Sequence, residues 1–174
     1  KKALTETDGN MEKAVDLLRQ KGLAVAAKRA GKETREGVIE AYIHGGGKIG
    51  VMVEVACETD FVAKTDDFKA FARNIAMHVA AVNPLALSRD EVSAEVLQRE
   101  KDIYINQALE SGKPQQIAEK MVAGKMEKFL AEVCLLEQKY VKNPDLSVQE
   151  LLNELVAKMG ENISIKKFAR FQIG

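Results

Sequence analysis

Ile49-Gly50-Val51-Met52-Val53-Glu54-Val55-Ala56-Cys57-Glu58-Thr59-Asp60-Phe61-Val62-Ala63-Lys64 is the stretch on which the reading of this chain turns. Its first half sets Ile49, Val51, Val53, Val55 and Cys57 at every second position, the period of a half-buried strand. Just beyond Lys64, Phe68, Phe71, Ile75, Val79 and Val82 recur at helical spacing. Residues 58–64 are therefore a strand-to-helix turn in which an acidic residue and a phenylalanine stand side by side. Two readings of Phe61 compete. A phenylalanine commonly folds into its own core. One carried on a turn between rigid elements can instead enter another protein's pocket, where aromatic side chains supply much of the binding energy.

Upstream, residues 38–44 read as a strand that pairs with 49–57 across Gly45-Gly46-Gly47-Lys48, a turn needing positive φ angles that glycine adopts cheaply. A third strand closes the chain, with Ile165, Lys167, Ala169, Phe171 and Ile173 expected on one face. Helical stretches lie between. Ser88-Arg89-Asp90-Glu91 and Ser147-Val148-Gln149-Glu150 both fit the capping box. Pro114, after Gly112, sits where a helix can begin, and Gly160 is placed to end the last apolar stripe, which runs from Val148 to Met159. Adjacent strands, a long helical insert and a returning strand argue for α+β, not a parallel array.

Before the hairpin, residues 1–32 form a small helical block. Met11, Ala14, Val15 and Leu18 follow the turn-like Thr7-Asp8-Gly9-Asn10; Gly22 is expected to stop that helix, and residues 23–30 to form a second. So few apolar residues need a third partner. Residues 33–174 make the core domain. The chain opens without methionine, inside what reads as helix, so part of an N-terminal element is expected to be missing from it.

The 174 residues are 46% hydrophobic and carry 26 basic against 26 acidic side chains, so no net field draws the chain to nucleic acid or to an anionic membrane. No stretch approaches the roughly 20 apolar residues of a membrane span, and residues 1–6 lack a signal-peptide core. Cys57 and Cys134 lie on apolar faces as reduced, buried thiols, which fits a cytoplasmic compartment, or an organellar matrix or stroma in a eukaryote. His44, at a hairpin end, and His78, within a helix, have no partner at metal-ligand spacing, so no metal or cofactor is expected. The triple glycine runs into a strand, unlike a phosphate loop. An enzyme is disfavoured; a thiol-dependent one would need Cys57 or Cys134 beside an activating base.

The motif at 58–64 resembles the Thr-Asp-Phe-Val-Ala-(Lys/Arg) signature of translation elongation factor Ts. Lys1-Lys2-Ala3-Leu4, Ala26-Ala27-Lys28-Arg29-Ala30-Gly31, Asn74-Ile75-Ala76-Met77-His78-Val79-Ala80-Ala81, Val92-Ser93-Ala94-Glu95-Val96, Ser111-Gly112-Lys113-Pro114, Ile117-Ala118-Glu119-Lys120-Met121-Val122 and Gly160-Glu161-Asn162-Ile163 resemble that family too, in its order. The resemblance implies a nucleotide exchange factor that binds elongation factor Tu and expels GDP, built from a ubiquitin-associated-type helical domain and a core with a three-stranded antiparallel sheet packed on helices. It also implies a wedge, Asp60 and Phe61, that presses on the partner's GTPase domain near its Mg²⁺ and phosphate site. Met159 and Gly160 match positions lining the same contact; His44 matches a contact histidine and Lys1 a basic contact. With the resemblance added, Phe61 is expected exposed and partner-facing, and Val62 anchored inward. The family's opening helix and C-terminal coiled coil have no counterpart, and the core occurs once, so this short form is expected to dimerise. An alternative in the same setting is a ribosome- or RNA-associated accessory protein, which the balanced charge disfavours.

Overall fold

The computed structural model describes residues 2–112 and 114–174; the expected contact Lys1 lies outside them, as does Lys113. In chain order the elements are α1 (Lys2–Glu6), α2 (Met11–Arg29), β1 (Glu36–His44), β2 (Ile49–Cys57), α3 (Asp60–Ala63), α4 (Asp66–Val82), a 3₁₀ turn (Arg89–Glu91), α5 (Ala94–Glu110), α6 (Gln115–Val133), β3 (Lys139–Tyr140), β4 (Asn143–Ser147), α7 (Val148–Met159) and β5 (Ile163–Gln172). The class is α+β. The chain divides into two compact units, one of residues 1–81 with 149–174 and one of residues 82–148.

The first unit is organised by an antiparallel sheet in the order β1-β2-β5. Gly45, Gly46 and Gly47, with φ of 63°, 67° and 91°, turn β1 into β2 as their composition requires. Val51, Val53 and Val55 are buried on one sheet face while Met52 points out of the other. That buried face meets α4, whose Phe68, Phe71, Ala72, Ile75 and Val79 form its inward stripe. Polar contacts tie the layers at their margins. Arg73 of α4 bonds Glu40 of β1 at 3.0 Å, and Arg170 of β5 donates to the Ala80 carbonyl at 3.2 Å. Lys158 of α7 reaches Asp67 of α4 at 2.7 Å.

Three expectations need correction. β5 does not keep one face throughout. Its register against β2 shifts between Glu54 and Val55, so Ile165 pairs with Val55 but Lys167 with Glu54. The extra residue of this bulge flips the alternation. Ile163 and Ile165 are buried, whereas Ala169, Phe171 and Ile173 line the opposite, open face. Gly22 does not stop a helix either: α2 runs through it, because its neighbours are good helix formers and one glycine costs only about 1 kcal/mol. Finally, Ser88 makes no cap bond. Glu91 instead accepts from the Leu87 N–H at 3.0 Å, and the helix starts at Ala94, capped by Ser93, which accepts from the Val96 N–H.

In the second unit α5 and α6 pair as a helical hairpin. Ala108, Ala118 and Val122 are buried between them, with Tyr104, Ile105 and Met126 packed around. Small residues at the seam let the helix axes approach closely. Ala86, Val92 and Cys134 form a second cluster beside Leu130 and Val133.

Candidate functional site

Where β2 ends at Cys57, Thr59 turns the chain into α3. Its backbone is extended (φ −128°, ψ 154°) and its hydroxyl accepts from the Val62 N–H, the geometry of an N-cap. α3 lasts four residues. The Thr65 hydroxyl closes it by donating to the Val62 carbonyl at 2.8 Å, and that hydroxyl oxygen accepts from the Phe68 N–H to open α4. A helix this short has little stability of its own, so its burial decides its orientation. Val62 and Ala63 face inward; Phe61, 81% exposed, faces out. The ring and the valine stand where the sequence reading set them.

Asp60 flanks the ring. The Lys64 ammonium, 2.6 Å away, hydrogen-bonds its carboxylate and holds it below the usual carboxylate range, while Asp60 raises Lys64 in return. Asp60 is therefore charged at neutral pH and offers its negative charge at the start of α3.

The turn between α7 and β5 lies beside this tip, because Cys57 and Ile163 are register partners. Gly160 ends α7 with φ of +73°, and its N–H reaches the Val156 carbonyl at 2.8 Å, the expected glycine stop. Met159 is half-buried just before it. Asp60, Phe61, Met159 and Gly160 thus belong to one end of the sheet. His44 belongs to the other: Glu36 pairs with Cys57 at the tip end, and His44 with Ile49 eight residues along, on the order of 25 Å of strand away. His44 is exposed, and its Nδ1 lies 2.9 Å from the Tyr42 hydroxyl.

The thiols are chemically quiet. Burial, aided by the Glu161 carboxylate, pushes Cys57 up to about 11, and its S–H donates to the Thr59 carbonyl. Cys134 is raised by the same cause. Neither is an activated nucleophile. The described residues hold no cluster of three or more His, Cys, Asp or Glu able to bind a metal ion, and no described helix is long and apolar enough to cross a membrane. Sequence reasoning missed Glu58 and Glu161, whose carboxylates bind backbone amides across this end of the sheet. Their only sequence signal was membership in the motifs around 58–64 and 160–163.

The fold is thus an α+β module that presents an exposed aromatic beside a fixed charge on a short helix at the end of its sheet. The model of the elongation factor TS family matches residues 8–174. All 174 residues align at 74% identity with elongation factor Ts of Desulfotalea psychrophila, covering 88% of that protein. They align at 62% with that of Desulfosudis oleivorans, again covering 88%, and at 60% with that of Carboxydothermus hydrogenoformans, covering 80%. The chain belongs to the elongation factor Ts family. Its function is accordingly guanine nucleotide exchange on elongation factor Tu in translation elongation.

Proposed function

We propose that this chain expels GDP by pressing the Asp60–Phe61 tip against the GTPase domain of elongation factor Tu, with Met159 and Gly160 in the same contact. His44 and Lys1 make separate contacts. The observation that carries this reading is the ring of Phe61, fully presented on a helix whose next two residues are buried. Large exposed aromatics on rigid supports are what interfaces use as anchors. No bond of the nucleotide is broken, so no catalytic side chain is needed. Exchange requires only that the factor bind the nucleotide-free partner more tightly than the GDP-bound one, and linkage makes the effect reciprocal. Each tenfold in that preference corresponds to about 1.4 kcal/mol. A wedge that displaces metal and phosphate contacts supplies it by trading one set of interactions for the other.

The helical block, residues 1–32, acts in this reading as a separate docking element ahead of the core, residues 33–174. On this reading the protein works in the cytoplasm, or in an organellar matrix or stroma if its source is a eukaryote. Two copies associate through the open sheet face, where Met52 and Phe171 stand exposed.

The test is release of labelled GDP from purified elongation factor Tu. Phe61→Ala should lower stimulated release by roughly thirtyfold, the kinetic equivalent of the ~2 kcal/mol typical of an interface anchor. Its stability should hardly change, since truncating an exposed ring leaves no cavity; a buried phenylalanine would cost about 3–5 kcal/mol. Release equal to the parent's, or gross destabilisation, would overturn the wedge.

A further inference from the structure

Beyond Cys57 and Ile163 the pairing of β2 with β5 stops. There carboxylates bind backbone amides across the two strands, reciprocally. Glu58 accepts from the Asn162 N–H at 2.6 Å, and Glu161 accepts from the Thr59 N–H at 3.0 Å. Glu161 does more: its second oxygen accepts from the Thr59 hydroxyl at 2.6 Å. Both donors of Thr59 therefore end on one carboxylate. The clasp extends to the helical block, since Glu58 also lies 3.5 Å from the Arg29 guanidinium and the Asn162 side-chain amide donates to the Lys32 carbonyl at 2.6 Å.

Thr59 is the N-cap of α3, so whatever fixes Thr59 fixes the rotation of a four-residue helix and the direction of Phe61. Val62 and Ala63 anchor α3 inward. At its first turn a charged acceptor takes two bonds from Thr59, and such bonds are about twice as strong as neutral ones. We propose that Glu161 is a positioning residue for exchange: it aims the Phe61 tip without itself being the wedge. This rests on the wedge reading above. A second consequence follows from the same clasp. Because Glu58 bridges the 162 amide and Arg29, engagement of the helical block and orientation of the tip share one hydrogen-bonded frame.

The experiment is stopped-flow release of fluorescent GDP from elongation factor Tu over a range of concentrations of this chain, giving a maximal rate and a half-saturating concentration. Glu161→Gln loses one acceptor, because its amide nitrogen cannot accept, and should lower the maximal rate about tenfold, the equivalent of one charge-assisted bond. The half-saturating concentration should stay within about twofold, as the wedge and the helical block still dock. Thr59→Val, which keeps the shape and the amide but removes the hydroxyl, should act in the same direction. Thr59→Ser should recover more of the rate than Thr59→Val. The double variant Thr59→Val with Glu161→Gln should lose less than the sum of the two single losses, since both remove the Thr59–Glu161 bond, while Thr59→Val alone also removes the cap on the Val62 N–H. Phe61→Ala separates the two readings. If it slows release while Glu161→Gln and Thr59→Val keep the parent's maximal rate, the wedge stands and the positioning role falls. A loss confined to the half-saturating concentration also defeats the positioning role. If Phe61→Ala releases GDP like the parent, the wedge itself falls.

Discussion

A methyl group on residue 37 would sit 2.2 Å from the carbonyl oxygen of Val55 and 2.8 Å from the Cα of Ala56, in a backbone with φ of +152°. Both obstacles are main chain in the paired strand, so neither can swing aside. Gly37→Ala is therefore expected to cost about 3 kcal/mol or more, combining overpacking with backbone strain, and to disturb pairing next to the tip. Chemical denaturation checks this; a change below about 0.5 kcal/mol would show that β1 shifts without penalty. Nothing in the sequence marked Gly37, because the alternating pattern starts at Val38 and the close approach depends on the partner strand. Cys57 gives a pH-dependent counterpart. The fold favours the neutral thiol, while an unfolded thiol ionises near its ordinary 9.0, against about 11 in the fold. Its contribution to stability is thus fully present below about pH 9 and is lost as pH rises toward 11. The stability difference between the parent and Cys57→Ala should shrink over that window in denaturant titrations. A constant difference would mean that the thiol is not desolvated as its burial requires.

At the level of elements, α2 shows how tertiary packing overrides a local stop signal. Gly22 faces α7, where an added Cβ would meet the Ala157 Cβ at 3.6 Å, an ordinary van der Waals contact. Gly22→Ala should therefore stabilise the chain by about 0.5–1 kcal/mol, the helix-propensity difference, raising the denaturant midpoint. Destabilisation would reveal that the helices cannot accept even that methyl group. The same element-scale logic explains what sequence could and could not reveal. Strong periodic signals were legible: the β1–β2 hairpin with its glycine turn, the α4 stripe, Gly160 as a stop and the inward Val62. A single-residue bulge in β5 was not, since it depends on the register with β2, and it reversed which side Phe171 occupies. The helix start at Ser93 was hidden by a better-looking box at Ser88, because a 3₁₀ turn satisfies the same local amides. Asp60 and Phe61 were legible as part of a motif, but the Glu58–Glu161 clasp joins positions about a hundred residues apart, and only the fold brings them together.

At the level of the whole molecule, the sheet has one face covered by α4 and one open. Because of the bulge, the open face collects Ile39, Ile43, Met52, Phe171 and Ile173, all exposed, with Phe171 at 68%. The register aligns Ile43 with Gly50 and Phe171, and Ala41 with Met52 and Ala169, so these side chains form one contiguous apolar surface. Contiguous apolar patches of this kind are uncommon on monomers. The row beside it, Ile39, Glu54 and Lys167, adds the paired charges Glu54 and Lys167, 3.3 Å apart. An isologous interface sets the same patch of two copies face to face, and a margin that carries one charge of each sign adds no net repulsion to that pairing. A second copy of this chain is the occupant we propose for this face. The chain is expected to sediment as a dimer at micromolar concentration, and Phe171→Glu to shift it to monomer while leaving its unfolding nearly unchanged, since the ring is exposed in the single chain. Dimerisation driven by this apolar face should also persist at high salt, where an interface held by its charges alone would weaken. A parent chain that sediments as a monomer at micromolar concentration while exchanging nucleotide at full rate would overturn this assembly.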